Sequence, residues 1–170
     1  EMGMRSDHQV GRSYGRKGKT PVIPGTGQRF GCNMISALTN QGQLSWMVFK
    51  KRFTTKVFLE FLRRLVKHAG RKVFLIVDGH PVHRSRAVKA WVAKHADRIE
   101  LFFLPGYSPD LNPDELLNND VKSNAVGRRR PGTQTEMMSN VRSYLRSTQR
   151  QPHIVRSYFN HEDVRYAAAG

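Results

Sequence analysis

Apolar and polar positions alternate along this chain with two different periods, and the change of period marks its elements. Val73-Phe74-Leu75-Ile76-Val77 is an unbroken apolar, β-branched run, which fits a strand covered on both faces. A second run, Ile99 to Leu104, reads as another strand. Arg29 to Leu38 and Gln43 to Phe49 carry looser β patterns around the turn signal Asn40-Gln41-Gly42, as two antiparallel strands would. The helical period first appears in Thr54 to Ala69. There Val57, Phe58, Phe61, Leu62, Leu65 and Val66 form one broad face, Thr54 or Thr55 caps the start and Gly70 stops the end. Three more helices are expected. They are Ser85 to Ala96 with a stripe of Val88, Trp91, Val92 and His95, Pro113 to about Ala125, and Thr135 to Ser147 with a stripe of Met137, Met138, Val141, Tyr144 and Leu145. Glu1 to Pro24 shows no apolar period and reads as a loop or ragged hairpin, and residues after Pro152 read as a tail. The resulting order is β-β-α-β-α-β-α-α, an α/β class.

Composition narrows the picture. A chain of 170 residues, 38% hydrophobic and 25% charged, suits one domain with a real core. No apolar run approaches the ~20 residues a membrane-crossing helix needs, so no membrane partner is expected. The balance of 29 basic against 13 acidic residues gives a net charge of +16, which favours a polyanion, nucleic acid first. Cys32 is the single cysteine, which excludes an internal disulfide framework and a multi-cysteine zinc site, and it reads as a small buried strand residue.

Two acidic residues stand at element boundaries. Asp78 ends the Val73 strand, where open α/β sheets place their chemistry. Its rival reading is a turn-forming Asp before Gly79. Glu115 stands in the first turn of a helix with Asn112 as N-cap and Pro113 at the first helical position. Its rival reading is the third residue of a capping box, reaching back to Asn112. His80 and His83 have a spacing that suggests zinc, but two histidines without cysteines or a third histidine are a weak signal.

The strings Asp78-Gly79-His80-Pro81-Val82-His83 and Tyr107-Ser108-Pro109-Asp110-Leu111-Asn112-Pro113-Asp114-Glu115 resemble the catalytic core of DDE transposases, in the bacterial insertion-sequence branch of the mariner superfamily. The resemblance extends over Gly11 to Pro21 and to the end of the chain. Gly79 is a departure, since many relatives have Asn there. The resemblance implies a ribonuclease-H-like mixed sheet flanked by helices, lacking its first, central strand. It implies Asp78 and Glu115 as catalytic metal ligands, with Asp114 at the variable position of Asn-Pro-x-Glu. It implies Mg²⁺ or Mn²⁺, two ions in a complete site, since ions about 4 Å apart activate the attacking oxygen and stabilise the leaving one. His83 matches a family histidine and is expected near the scissile phosphate or positioning the loop.

The implied partner is DNA, both transposon ends and target, with a homodimer in the active complex and a location in the bacterial cytoplasm on the nucleoid. Candidate DNA contacts are Arg12, Arg16, Lys17, Lys19, His83, Arg84, Arg86, Arg128, Arg129 and Arg130, of which the arginines and lysines could also be plain solvated surface. The helix-turn-helix modules that read transposon ends in this family are not in this sequence. The family's first catalytic aspartate stands directly before a Glu like Glu1. The expectation is therefore that this chain alone is inactive, and that two strand edges are unpaired or the N-terminal segment fills the slot. An inactive DNA-binding remnant, or another two-metal nuclease of the same fold, remain the alternatives.

Overall fold

The computed structural model describes residues 1–7, 16–19, 27–106, 108–128 and 130–168. Strands β1 (Met2–Arg5), β2 (Gly31–Leu38) and β3 (Leu44–Phe49) form an antiparallel sheet in that order. Strands β4 (Val73–Val77) and β5 (Ile99–Phe103) form a separate parallel pair. Between and after them run α1 (Thr55–Ala69), α2 (Arg86–Lys94), α3 (Pro113–Val121), α4 (Gln134–Gln149) and α5 (Pro152–Ser157).

The N-terminal segment is therefore partly a strand rather than a loop. Met2 and Met4 are buried while Gly3 and Arg5 are exposed, the period-2 pattern of a one-sided strand. Gly31 lets β1 approach, because a Cβ there would stand 2.5 Å from the Met4 carbonyl oxygen. The β1 register covers only Gly31 to Met34. Among the described residues, the rest of the β2 edge and the inner edge of β4 have no strand partner, so two sheets stand where one mixed sheet was expected.

Strand β2 divides the interior. Met34 belongs to one core with Met2, Met4, Val48, α3 and α4, while Ile35 belongs to the other with Met47, Val77, Ile99, α1 and α2. Helix α1 agrees with its sequence pattern. The Thr54 hydroxyl accepts from the Val57 amide, Gly70 closes the helix in the left-handed region at φ 64°, and Phe58, Phe61, Leu62 and Val66 are buried. Leu65 and Trp91 are half-buried against the same core.

Four expectations are corrected. β4 is not covered on both faces: Phe74 and Ile76 are 64% and 51% exposed, because α3 and α4 pack against the other sheet. In α2 only Val88 of the expected stripe is fully buried. The α3 helix ends at Val121 and continues as a π-helical segment over Lys122–Gly127. Asp120 explains the widened turn, since its carboxylate accepts from Asn124 at 2.6 Å, Tyr144 at 2.8 Å and Tyr158 at 2.5 Å, tying this segment to α4 and to the end of α5. The tail is also structured: Pro152 begins α5, a 3₁₀ segment spans Glu162–Ala167, and Tyr158, Phe159 and Val164 are buried.

Candidate active site

Asp78 leaves β4 directly into a tight turn. One of its carboxylate oxygens accepts from the His80 amide at 2.9 Å, so the turn-forming reading is realised. The same oxygen lies 2.9 Å from Nδ1 of His83. His83 is only 5% exposed and its ring rests on Phe58, centroids 4.5 Å apart, with Phe53 at 5.7 Å. The imidazole is thus packed against Phe58 and Phe53 with its Nδ1 directed at the Asp78 carboxylate, and it lines the same cleft as Asp78. Its hydrogen bond, with that of the His80 amide, keeps the Asp78 carboxyl well below the usual carboxylate range. The outer part of the Asp78 side chain is half-exposed and available to a ligand.

Glu115 is presented by a well-formed helix start. Asn112 caps α3 by accepting from the Asp114 amide at 3.1 Å, and Pro113 occupies the first turn, where no amide is missed. The capping box does not form, because the Asn112 amide already donates to the Pro109 carbonyl at 2.9 Å. Among the described residues the Glu115 carboxylate takes no hydrogen bond and no ion pair, and it is half-buried.

Asp114, expected only as the variable position of the motif, is the most enclosed of the three acids. It is 8% exposed, accepts from the Ser36 hydroxyl at 2.6 Å and stands 3.9 Å from the backbone nitrogen of Glu1. Burial pushes its pKa up, and the negative charges of Glu115 and Asp78 push the same way. Asp114 therefore lies within electrostatic range of both Glu115 and Asp78. Asp78, His83, Asn112 and Asp114 line a cleft of about 150 Å³ between β2 and β4, walled by apolar residues such as Ile35, Phe58 and Phe61; Glu115 lies outside that lining. Among the described residues no group of three or more His, Cys, Asp or Glu side chains is gathered tightly enough to hold a metal ion. Asp78 and Glu115 nevertheless offer the all-oxygen, carboxylate donors that Mg²⁺ and Mn²⁺ prefer.

The described arginines and lysines of the expected basic set lie on the surface. Arg84 is on the surface beside His83, its guanidinium 4.9 Å from the Phe103 ring centroid, and Arg86 opens α2. Arg16, Lys17, Lys19, Arg128 and Arg130 are all exposed. Arg12 and Arg129 lie outside the described residues. Cys32 is buried with its thiol pushed up to about 11 by that burial, in keeping with a small core residue. No helix among the described residues is long and apolar enough to cross a membrane.

This arrangement has relatives. The fold is similar to the catalytic domain of Mos1 mariner transposase, with a TM-score of 0.58 at 15% identity over 81% of this chain and 74% of that one. It is also similar to the Mos1 mariner paired-end complex with Mn, with a TM-score of 0.65 at 14% identity over 98% of this chain and 54% of that one. In sequence it is 22% identical over 150 residues to the insertion element IS630 uncharacterized 39 kDa protein of Shigella sonnei. That alignment takes in 85% of this chain but 43% of the relative, so the chain spans less than half of that protein's length. Residues 1–138 match the DDE superfamily endonuclease family, the family to which this chain belongs.

Proposed function

We propose that this chain is the catalytic domain of an insertion-sequence DNA transposase that cleaves transposon ends and joins them to target DNA. The observation that carries the reading is the match of residues 1–138 to the DDE superfamily endonuclease family, a span that contains both Asp78 and Glu115. Asp78 is a strand-end carboxylate held charged by His83, and Glu115 is a helix-start carboxylate with no hydrogen-bond or ion-pair partner among the described residues. Asp78 and Glu115 are the ligands that would hold Mg²⁺ or Mn²⁺. Two such ions, when bound, supply activation of the attacking oxygen and charge stabilisation at the leaving one.

The chain's own residues do the rest. His83 holds Asp78 charged and oriented, the Asn112 cap orients the first turn of α3, and Arg84 offers a cation to the phosphate near the turn. Hydrolysis breaks a P–O bond and frees a 3′-hydroxyl. That hydroxyl attacks a target phosphodiester, forming one P–O bond as another breaks. The active assembly is proposed as a homodimer on DNA.

The test is a supercoiled plasmid carrying the ends of the encoding element, incubated with Mg²⁺ and target DNA. It is run with residues 1–170 and with a form extended by the residues encoded upstream of Glu1. Nicking followed by joining, lost in both Asp78→Ala and Glu115→Ala while DNA binding persists, supports the reading. Nicking that never leads to joining indicates another nuclease of this fold, and binding with no nicking in either form indicates a remnant.

A further inference from the structure

The outer face of α4 carries a pattern that the site does not use. Arg142, Arg146 and Arg150 recur every four residues, and Ser139, Ser143 and Ser147 form a parallel row beside them. Together with Gln151 they line one shallow open groove of about 550 Å³, and none of them lines the cleft at Asp78. The opposite face of the helix is locked into the core by Met137, Met138, Val141, Leu145 and Thr148, so the row cannot rotate inward. Gln134 and Gln149 pin the two ends of α4 to the Gly31 and Leu44 carbonyls at 2.7 and 2.6 Å.

Some surface arginines are engaged with neighbouring carboxylates. Arg5 is paired with Asp7, and Arg64 with Glu60, whereas among the described residues none of the three α4 guanidiniums has an ion-pair partner or a hydrogen bond. The one acid in the first turn of α4, Glu136, is occupied by the Gly132 amide. The Ser147 hydroxyl oxygen accepts from Gln151, which leaves its own proton free to donate outward. An unpaired, rigidly mounted row of planar guanidiniums with interleaved hydroxyls is chemistry for phosphate oxygens.

We propose that this face is a second duplex-DNA track, separate from the carboxylate cleft, on which Arg142, Arg146 and Arg150 grip successive phosphates of one strand. The inference rests on the reading that the chain acts on DNA. Eight residues of helix advance about 12 Å. Over that length one strand of B-DNA presents about three to four phosphates at 3.4 Å axial spacing. An acidic protein segment is the rival occupant, but its carboxylates have no such fixed spacing. The track lies on the Met34 and Val48 face of the first sheet, whereas α1 lies on the Ile35 and Met47 face.

The test measures binding of the 170-residue chain to a random-sequence duplex by fluorescence anisotropy at several salt concentrations. Arg142→Gln/Arg146→Gln/Arg150→Gln should lower the slope of log affinity against log salt by about 2–3, since each phosphate contact contributes about 0.9. A control of equal charge loss on α1, Lys56→Gln/Arg63→Gln/Lys67→Gln, should lower it by clearly less, and the triple Arg→Lys variant should retain most of it. Arg146→Gln alone should lower the slope by about 1, which keeps the test decisive if the triple variant misfolds. Equal losses in both triple variants, an unchanged slope in the α4 variant, or competition by poly-glutamate as strong as by duplex overturn the proposal. A wild-type chain that binds duplex steeply while the α4 variants match it sinks only the track. A wild-type chain with no affinity for duplex sinks the DNA reading itself.

Discussion

The Ser36 hydroxyl donates to the Asp114 carboxylate at 2.6 Å across 78 positions of sequence, fastening the middle of β2 to the first turn of α3. Because Glu115 is the next residue, this bond also sets where the Glu115 carboxylate is presented.

Asp114 should be a stability cost at neutral pH. Its folded pKa is raised above the ordinary 3.8 by burial, so the fold prefers the protonated form. That contribution is present at low pH and is lost as pH rises through the raised value. Asp114→Asn stays neutral and can still accept from Ser36, so it should be more stable than wild type near pH 7, with the difference shrinking on acidification. Urea unfolding at a series of pH values measures this; a variant less stable than wild type near pH 7 refutes it.

Asp78 should behave with the opposite sign. Its folded pKa is depressed below 3.8, chiefly by the His83 hydrogen bond. Its contribution is present above the unfolded value and is lost as pH falls from there toward the folded value. Compared with Asp78→Asn, the wild type should lose stability more steeply between about pH 4 and about pH 2. Parallel curves for the two proteins would mean that His83 does not stabilise the ionised carboxylate.

Phe61 is 3% exposed in the core shared by α1, β4 and β5. Phe61→Ala should cost about 3–5 kcal/mol of unfolding free energy. A loss below about 1 kcal/mol would place Phe61 in a far looser environment than its burial indicates.

The exposed face of β4 should drive self-association. Phe74 and Ile76 project beside a strand edge without a partner among the described residues, and large apolar groups at a free edge recruit other strands. Ile76→Lys should raise the concentration at which the chain stays monodisperse in light scattering. Unchanged aggregation would show that association uses another surface.

The sequence carried α1 nearly whole, because a cap, a broad stripe and a stop residue all act within one stretch. It carried the positions of Asp78 and Glu115 for a similar reason: each stands where one element hands over to the next. β1 escaped because four residues with two methionines are too short for a period to register against the glycines and arginines around them. α5 escaped because Pro152 reads as a breaker, although at a helix start it costs nothing. The π-helical turn and the role of Asp114 depend on Tyr144, Tyr158 and Ser36, partners far along the chain, so no local window contains them. The α4 arginines recur every four residues on the exposed face, and spacing alone does not separate a phosphate-binding row from solvated surface.

Strand β2 gives neighbouring residues to opposite sides: Met34 and Ser36 face α3, while Ile35 and Ala37 face α1. A strand that serves two interiors has no tolerant side on which an insertion or deletion can be absorbed. Deleting one residue at Asn33 would turn Ser36 away from Asp114 and offer each interior the side chains shaped for the other. Frame-preserving length changes in β2 should therefore fail as a class, even where single substitutions at the same positions survive.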